Sequence, residues 1–383
     1  MRIFLGMITK KLDASAGLYQ FIENAEKYGH TISKAVVTCS NGFDKDLYEK
    51  VNQKVPLEII DTNNPIFLID QFNKRGISKE ATQLLLCPPF EDASGLLPYG
   101  FNRNLVLMDA LIQKAEVLIF VDSDVTPYVL TQKDNAHTLE EIDFFGRHME
   151  YLNAGNLVTI SEYSGYNILP EARFDGMEDL LFGLQKEDMT AYWKESDNHH
   201  CLTLHQPLEH PEIGGKVLGG NVGFKMEAFV ALPPFFSSYY IADDGIYLAR
   251  GEDTVLSIAI KENEISCMDI KTKIFHDTYL NYPGEPDLCT DAAVQERFYY
   301  ACTGWIGRNP FYNHVLGNDL PSTKEFQREH LRIGMQALST YTENPRYLTL
   351  LDKFDVSWSS LERYIAEYDE LLEAWAQFIL KCG

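Results

Sequence analysis

Between Met1 and Val125 the chain alternates short apolar runs of strand character with stretches whose apolar residues recur at helical spacing. That alternation commits it to βαβ units and a mainly parallel sheet, and so to an α/β fold. Arg2 to Ile8 reads as a buried strand, and Leu18, Phe21, Ile22, Ala25 and Tyr28 then mark a helix that Gly29 stops. A strand at Ala35 to Thr38, a short helix at Asp44 to Val51 and a strand at Leu57 to Ile60 follow, the last entering the turn Asp61-Thr62-Asn63-Asn64-Pro65. A helix from Arg103 to Lys114, with Leu105, Met108, Leu111 and Ile112 on one face, feeds the apolar run Val117 to Val121. That run is a central strand, and Pro127 bars its continuation.

With 383 residues the chain exceeds what one hydrophobic core usually serves, so a large domain with an added module is expected. Its 45% apolar and 23% charged residues are those of a globular protein. A formal charge of −23 argues against a nucleic-acid surface and against an anionic membrane surface, both of which need clustered Lys and Arg. A phosphate-bearing substrate would then require local positive charge, most simply a bound cation. Met1 to Lys11 does not read as a signal peptide, and no apolar run reaches the length of a membrane span. Seven cysteines without Cys-x-x-Cys spacing are expected as reduced thiols in a cytoplasmic protein.

Beyond the central strand, Ser161 to Gly215 reads as an irregular insertion with a helix at Met177 to Lys194. Regularity returns with a strand at Lys216 to Lys225, a helix opening near Asp253 and a strand through Ile270 to His276. After Pro321 the pattern is helical: Leu361, Ile365, Tyr368, Leu372, Trp375 and Ile379 form a seam, and Ser359 with Glu362 a capping box. The seam packs on the core or forms a homodimer contact. The expected division is a catalytic domain over 1–320, in halves of about 1–125 and 126–320, and a helical module over 321–383.

Asp122-Ser123-Asp124 stands at the carboxyl end of the central strand, where ligands bind in open α/β sheets. Two acids one residue apart can offer oxygen ligands to a hard cation, or form a solvated turn. Gly100, Arg103 and Asn104 precede that strand, Gly251-Glu252-Asp253 opens a later helix, and His276 ends a later strand. This ordered set resembles the GT-A fold glycosyltransferases, most closely the inverting family 2, over roughly residues 1 to 280.

The resemblance implies a nucleoside-diphosphate sugar donor and a hydroxyl acceptor, whether glycan, small molecule or protein. It makes Asp124 the direct metal ligand, Asp122 a contact to the ribose or a metal-bound water, and His276 the residue completing the metal site. Imidazole ligation favours Mn²⁺ over Mg²⁺. Thr9 and Asp61-Thr62-Asn63 fall where the base is held, and Arg103 is either a fixed charge near the nucleotide or the partner of a surface acid. Gly219-Gly220-Asn221-Val222-Gly223 is expected to let a sugar approach the backbone, or to be a bulged strand. Tyr163, Tyr166, Trp193, Tyr239 and Tyr240 are candidates for sugar stacking. Asp253, with Glu252 beside it, is expected as the general base of a single displacement, or as a helix cap.

The long insertion departs from the family pattern. So does the lack of a Gln-x-x-Arg-Trp motif, which Gln295-Glu296-Arg297-Phe298 approaches without matching. Transfer of a single sugar fits better than polymer synthesis. Val121-Asp122-Ser123-Asp124-Val125-Thr126 also matches the nucleophile loop of haloacid-dehalogenase phosphatases, and a silent carbohydrate-binding protein on the same fold is the non-enzymatic alternative.

Overall fold

The computed structural model describes residues 1–90, 97–134, 136–189, 202–206 and 210–382. Its centre is an eight-stranded sheet in the spatial order 212–213, 267–269, 158–160, 221–225, 117–122, 3–9, 34–39 and 57–61. The strands from Val117–Asp122 to Leu57–Asp61 run parallel, as the early alternation requires. Asn221–Lys225 enters antiparallel beside Val117–Asp122 and reverses the order of the sheet at that point. The α/β expectation is met.

Alternate residues of the central strands feed two cores. Phe4, Ile8, Leu118 and Phe120 face one side with the helices Ile66–Arg75, Lys79–Leu86 and Tyr99–Ile112. Leu5, Met7, Ile119 and Val121 face the other with the helices Leu18–Lys27 and Phe144–Asn153. Burial on both faces is why these strands are continuous apolar runs. Gly6 admits the helix Tyr99–Ile112: a methyl group there would meet Val106 Cγ1 at 2.8 Å.

A smaller four-stranded sheet runs in the order 202–203, 163–166, 274–276 and 125–126, with His276 paired to Val125. The strand expected over Ile270 to His276 is in fact two, Cys267–Asp269 and Ile274–His276, separated by Lys271 with φ of 53°. The break moves the chain from one sheet to the other and so carries His276 to Asp124. The strand expected from Lys216 begins only at Asn221, and the helix expected from Arg103 begins at Tyr99. The helix expected from Met177 runs to Gly183; residues 190–194 lie outside the described residues, as does Cys201. The six described cysteines are free thiols.

Helices begin at Ala292, ahead of Pro321: Ala292–Val315, Leu320–Tyr341, Leu350–Ser359 and Leu361–Cys382. The capping box is not formed, because Ser359 ends the preceding helix and its hydroxyl donates to the Val356 carbonyl at 2.7 Å. Ala374, Trp375, Phe378 and Cys382 bury themselves in the same core as Phe72 and Leu85. No helix among the described residues is long and apolar enough to cross a membrane.

Candidate metal and transfer site

Register sets the site. Ile8 lies opposite Asp122, and Asn221 opposite Val121, so Gly220 abuts the Asp122 carboxylate at the mouth of the sheet. Two residues on, the small sheet turns the chain so that Asp124 Oδ2 stands 3.1 Å from His276 Nε2. Nε2 is nevertheless buried without a hydrogen-bond partner, since the two groups are not aligned on each other. The Thr278 hydroxyl explains the ring's state: it donates to the Tyr166 carbonyl at 2.6 Å and lies 3.2 Å from His276 Nδ1. Its one hydrogen is thus committed, so towards the ring it accepts. Nδ1 is therefore the donor of that pair, which leaves Nε2 as the ring nitrogen able to ligate a cation.

A divalent ion fits this pair. Ligand atoms about 2.1 Å from an octahedral ion stand about 3.0 Å apart, close to the separation seen. Burial alone would raise the Asp124 carboxyl, but positive charge beside it, on His276 when both ring nitrogens are protonated and on Arg297, outweighs it and holds it below the usual carboxylate range, ready as an anionic ligand. Among the described residues no group of three His, Cys, Asp or Glu side chains converges on one point, so the remaining ligands would be waters or oxygens of a bound molecule. Asp122, expected beside the metal as a contact to the ribose or to a metal-bound water, lines the same cavity as Asp124 and His276 with its Oδ1 engaged by Arg103.

What holds Asp122 is Arg103. The guanidinium, 2% exposed, donates from Nη2 to Asp122 Oδ1 at 2.7 Å, from Nε to Glu252 Oε1 at 3.1 Å and from Nη1 to the Gly219 carbonyl at 2.8 Å. One residue therefore ties the helix Tyr99–Ile112, the central strand, the glycine run and the helix Glu252–Glu262 together. Burial acts to lower Arg103, yet Asp122 and Glu252 more than reverse it. The cation stays charged and is consumed by its partners, the buried Glu252 and the half-buried Asp122 at the cavity wall. Glu252, 6% exposed and raised by burial and by Asp253, is a member of this clamp.

The clamp also accounts for the glycines. A methyl group on Gly219 would lie 2.3 Å from Arg103 Nη2, and one on Gly220 2.4 Å from Asp122 Oδ2. The run makes room for these protein groups, and its Gly219 also lines the cavity that Asp253 faces. Asn221, expected at the donor, is fully buried: its amide donates to the carbonyls of Glu162 and Thr272 at 3.0 and 3.3 Å, and its oxygen meets His148 at 3.1 Å. Tyr163 packs its ring 5.0 Å from that of His276 and accepts the Gly220 N–H through its hydroxyl at 2.9 Å.

Asp253 occupies the first turn of the helix Glu252–Glu262 and faces a cavity of about 620 Å³. Its carboxylate accepts from the Thr254 N–H at 2.7 Å and the Gly219 N–H at 3.3 Å. The cavity also takes in Thr9, Asp122, Asp124, Tyr163, Tyr166 and His276. Asp61 is not in its wall; it is exposed and accepts the Asn63 N–H at 2.9 Å. Tyr240 is spent in the core with its hydroxyl donating to Thr303, Tyr239 lies against Phe90, and Trp193 is outside the described residues. Sequence reasoning passed over Lys186, Arg250, Arg297, Trp305 and Arg308, which all line the cavity. Arg297 Nη2 stands 3.4 Å from Asp124 Oδ2. The only signal for it was the failed match at Gln295-Glu296-Arg297-Phe298.

The phosphatase reading needs a free nucleophile at Asp122, whose oxygens instead receive Arg103 and, at 3.4 Å, the Tyr163 hydroxyl.

No family model and no curated protein matches the chain. Among solved structures, glucosyl-3-phosphoglycerate synthase from Mycobacterium tuberculosis, in complex with Mn²⁺, uridine-diphosphate-glucose and phosphoglyceric acid, aligns at 14% identity with a TM-score of 0.39, covering 83% of this chain and 80% of that one. A second structure, described only as a mycobacterial protein, aligns at 13% identity and 0.38, covering 80% and 74%. Overlap this loose assigns no activity.

Proposed function

We propose that the protein is a metal-dependent glycosyltransferase that moves one sugar from a nucleoside-diphosphate sugar to an acceptor hydroxyl with inversion. The observation that carries this reading is the pair Asp124 Oδ2 and His276 Nε2, 3.1 Å apart at a strand end with Nε2 left able to ligate by the Thr278 contact to Nδ1, in one cavity with the carboxylate of Asp253. A divalent ion held by Asp124 and His276, Mn²⁺ in preference to Mg²⁺, would supply Lewis-acid neutralisation of the departing diphosphate. Arg297 adds a fixed charge on the same side. Asp253, placed in a first helical turn where the dipole favours an anion, accepts the acceptor's hydroxyl proton. The acceptor oxygen then bonds to the anomeric carbon while the bond to the diphosphate breaks on the opposite face.

The test is Asp253→Asn. Asparagine keeps a side-chain oxygen to accept the Thr254 N–H, so a purely structural role would leave turnover nearly intact. Loss of a general base should lower turnover roughly 10²–10⁴-fold with donor affinity close to normal. Product anomery gives the second readout: an α-linked donor must yield a β-linked product, and an α-linked product would overturn the single displacement.

A further inference from the structure

The cavity is basic although the chain carries −23. With Arg103 set aside as the partner of Asp122 and Glu252, the wall presents Lys10, Lys186, Lys216, Arg250, Arg297 and Arg308 against Asp124, Glu162 and Asp253. Arg297 belongs to the Asp124 side. Arg308 and Arg250 belong to the side of the base. The Arg308 stem crosses Gly251, where a methyl group would meet its Cδ at 2.6 Å, and Gly251 is the N-cap residue of the helix that begins with Glu252 and Asp253.

Arg308 is 8% exposed, yet among the described residues its guanidinium donates to neutral oxygens alone, the Gln185 carbonyl at 3.2 Å and the Asn309 side chain at 2.9 Å. Arg250 has one nitrogen, Nη1, buried without any partner. Placing it there required Gly304 in mid-helix, since a methyl group at that position would lie 2.3 Å from Arg250 Cγ. Lys186 is paired instead with Asp188 at 3.5 Å, an acid it shares with Lys216 at 3.4 Å, so the cations short of an anion are Arg250 and Arg308. A buried cation left without a matching anion is costly, and chains keep such groups where a ligand supplies the charge.

We infer that the acceptor is itself an anion, a small hydroxyl compound whose carboxylate or phosphate is gripped by Arg250 and Arg308 while its hydroxyl faces Asp253. This rests on the reading of Asp253 as base. The donor's diphosphate would be met by the ion held at Asp124 and His276 and by Arg297, so the base-side cations mark a second anion position. Arginine pairs such oxygens in two-pronged fashion, which orients the acceptor as well as holding it.

The experiment is calorimetric titration of the full chain, in chelator and without donor, with glycerol, glycerate and glycerol phosphate as probes. Expected is binding of one or both charged probes and none of glycerol, the preferred probe telling carboxylate from phosphate. Arg250→Gln and Arg308→Gln should each weaken that binding about tenfold or more, with lysine restoring part of it. Arg250→Gln is the safer variant to fold, because its guanidinium nitrogen Nη1 has no partner to lose. Absence of charged-probe binding, or binding unchanged in Arg250→Gln, overturns the inference. A parallel titration with nucleoside diphosphates and Mn²⁺ separates the two ideas: metal-dependent nucleotide binding without the anion leaves the transferase reading standing alone, and anion binding without it removes that reading instead.

Discussion

Asp109 is fully buried, accepts from Gln113 Nε2 at 2.7 Å on both oxygens and has the Lys34 ammonium 4.0 Å away. Burial is the largest influence on it and lifts its carboxyl from 3.8 to about 6. Between those values the folded chain binds more protons than the unfolded one, so this group removes stability as pH rises through that window. The loss is complete at pH 7 and amounts to about 3 kcal/mol. Asp109→Asn should therefore be more stable than the parent at pH 7 by up to about that figure, with the gap closing by about pH 4, as urea unfolding at several pH values would record. A gap as wide at pH 4 as at pH 7 would contradict the account. The same scale shows what sequence reasoning can reach. Asp122, Asp124 and His276 were legible because strand ends announce themselves by apolar runs and stop signals. The partners of Arg103 were not, since nothing at position 103 says that Gly219 and Glu252 will close over it.

At the scale of elements, the helices that read clearly are those with one apolar face. Ala292–Val315 did not, because every residue from Ala301 to Phe311 is buried and the helix has no solvent face to set its period; Gly304, Gly307 and Pro310 further mask it. That helix carries Arg297, Trp305 and Arg308 to the cavity, so the missed element and three of the five missed site residues have one cause. The last helix, Leu361–Cys382, was legible as a seam but not in its destination. Trp375, 4% exposed, meets Phe378 at 5.2 Å and Phe229 at 6.3 Å between ring centroids, inside the core that also holds Phe72. Trp375→Ala should cost about 3–5 kcal/mol. Its indole nitrogen has no partner, so Trp375→Phe gives back an unsatisfied donor and should lose far less. Chemical denaturation measures both, and sedimentation of the folded fraction should stay unchanged. A shift in sedimentation with unaltered stability would assign this face to a subunit contact.

The whole molecule is knit by contacts between distant parts of the chain. One apolar cluster contains Phe4, Phe72, Phe120, Phe224, Trp375 and Phe378, and so unites the first strand, the middle of the sheet and the final helix. A second unites Leu169 and Leu180 with Phe298, Leu331 and Phe354, joining the segment before the glycine run to the C-terminal helices. The polar counterpart is the clamp of Arg103, Asp122 and Glu252, whose three members come from three elements. With cores shared in this way, the helices after Pro321 have no interior made by themselves alone: the last packs with the sheet, and the others with residues from Leu169 to Met189 and Leu288 to Ile306. Heating should therefore give one transition, with calorimetric and van't Hoff enthalpies in agreement, despite a length at which chains commonly divide. Ligand linkage sharpens the prediction. Mn²⁺ with a nucleoside-diphosphate sugar at about 100 times its dissociation constant should stabilise the entire transition by about 2.7 kcal/mol, and Asp124→Asn should abolish that gain. Two resolved transitions, of which only one responds to the ligand, would instead mean that residues 321–383 fold as an independent module and that the shared cores do not couple them to the site.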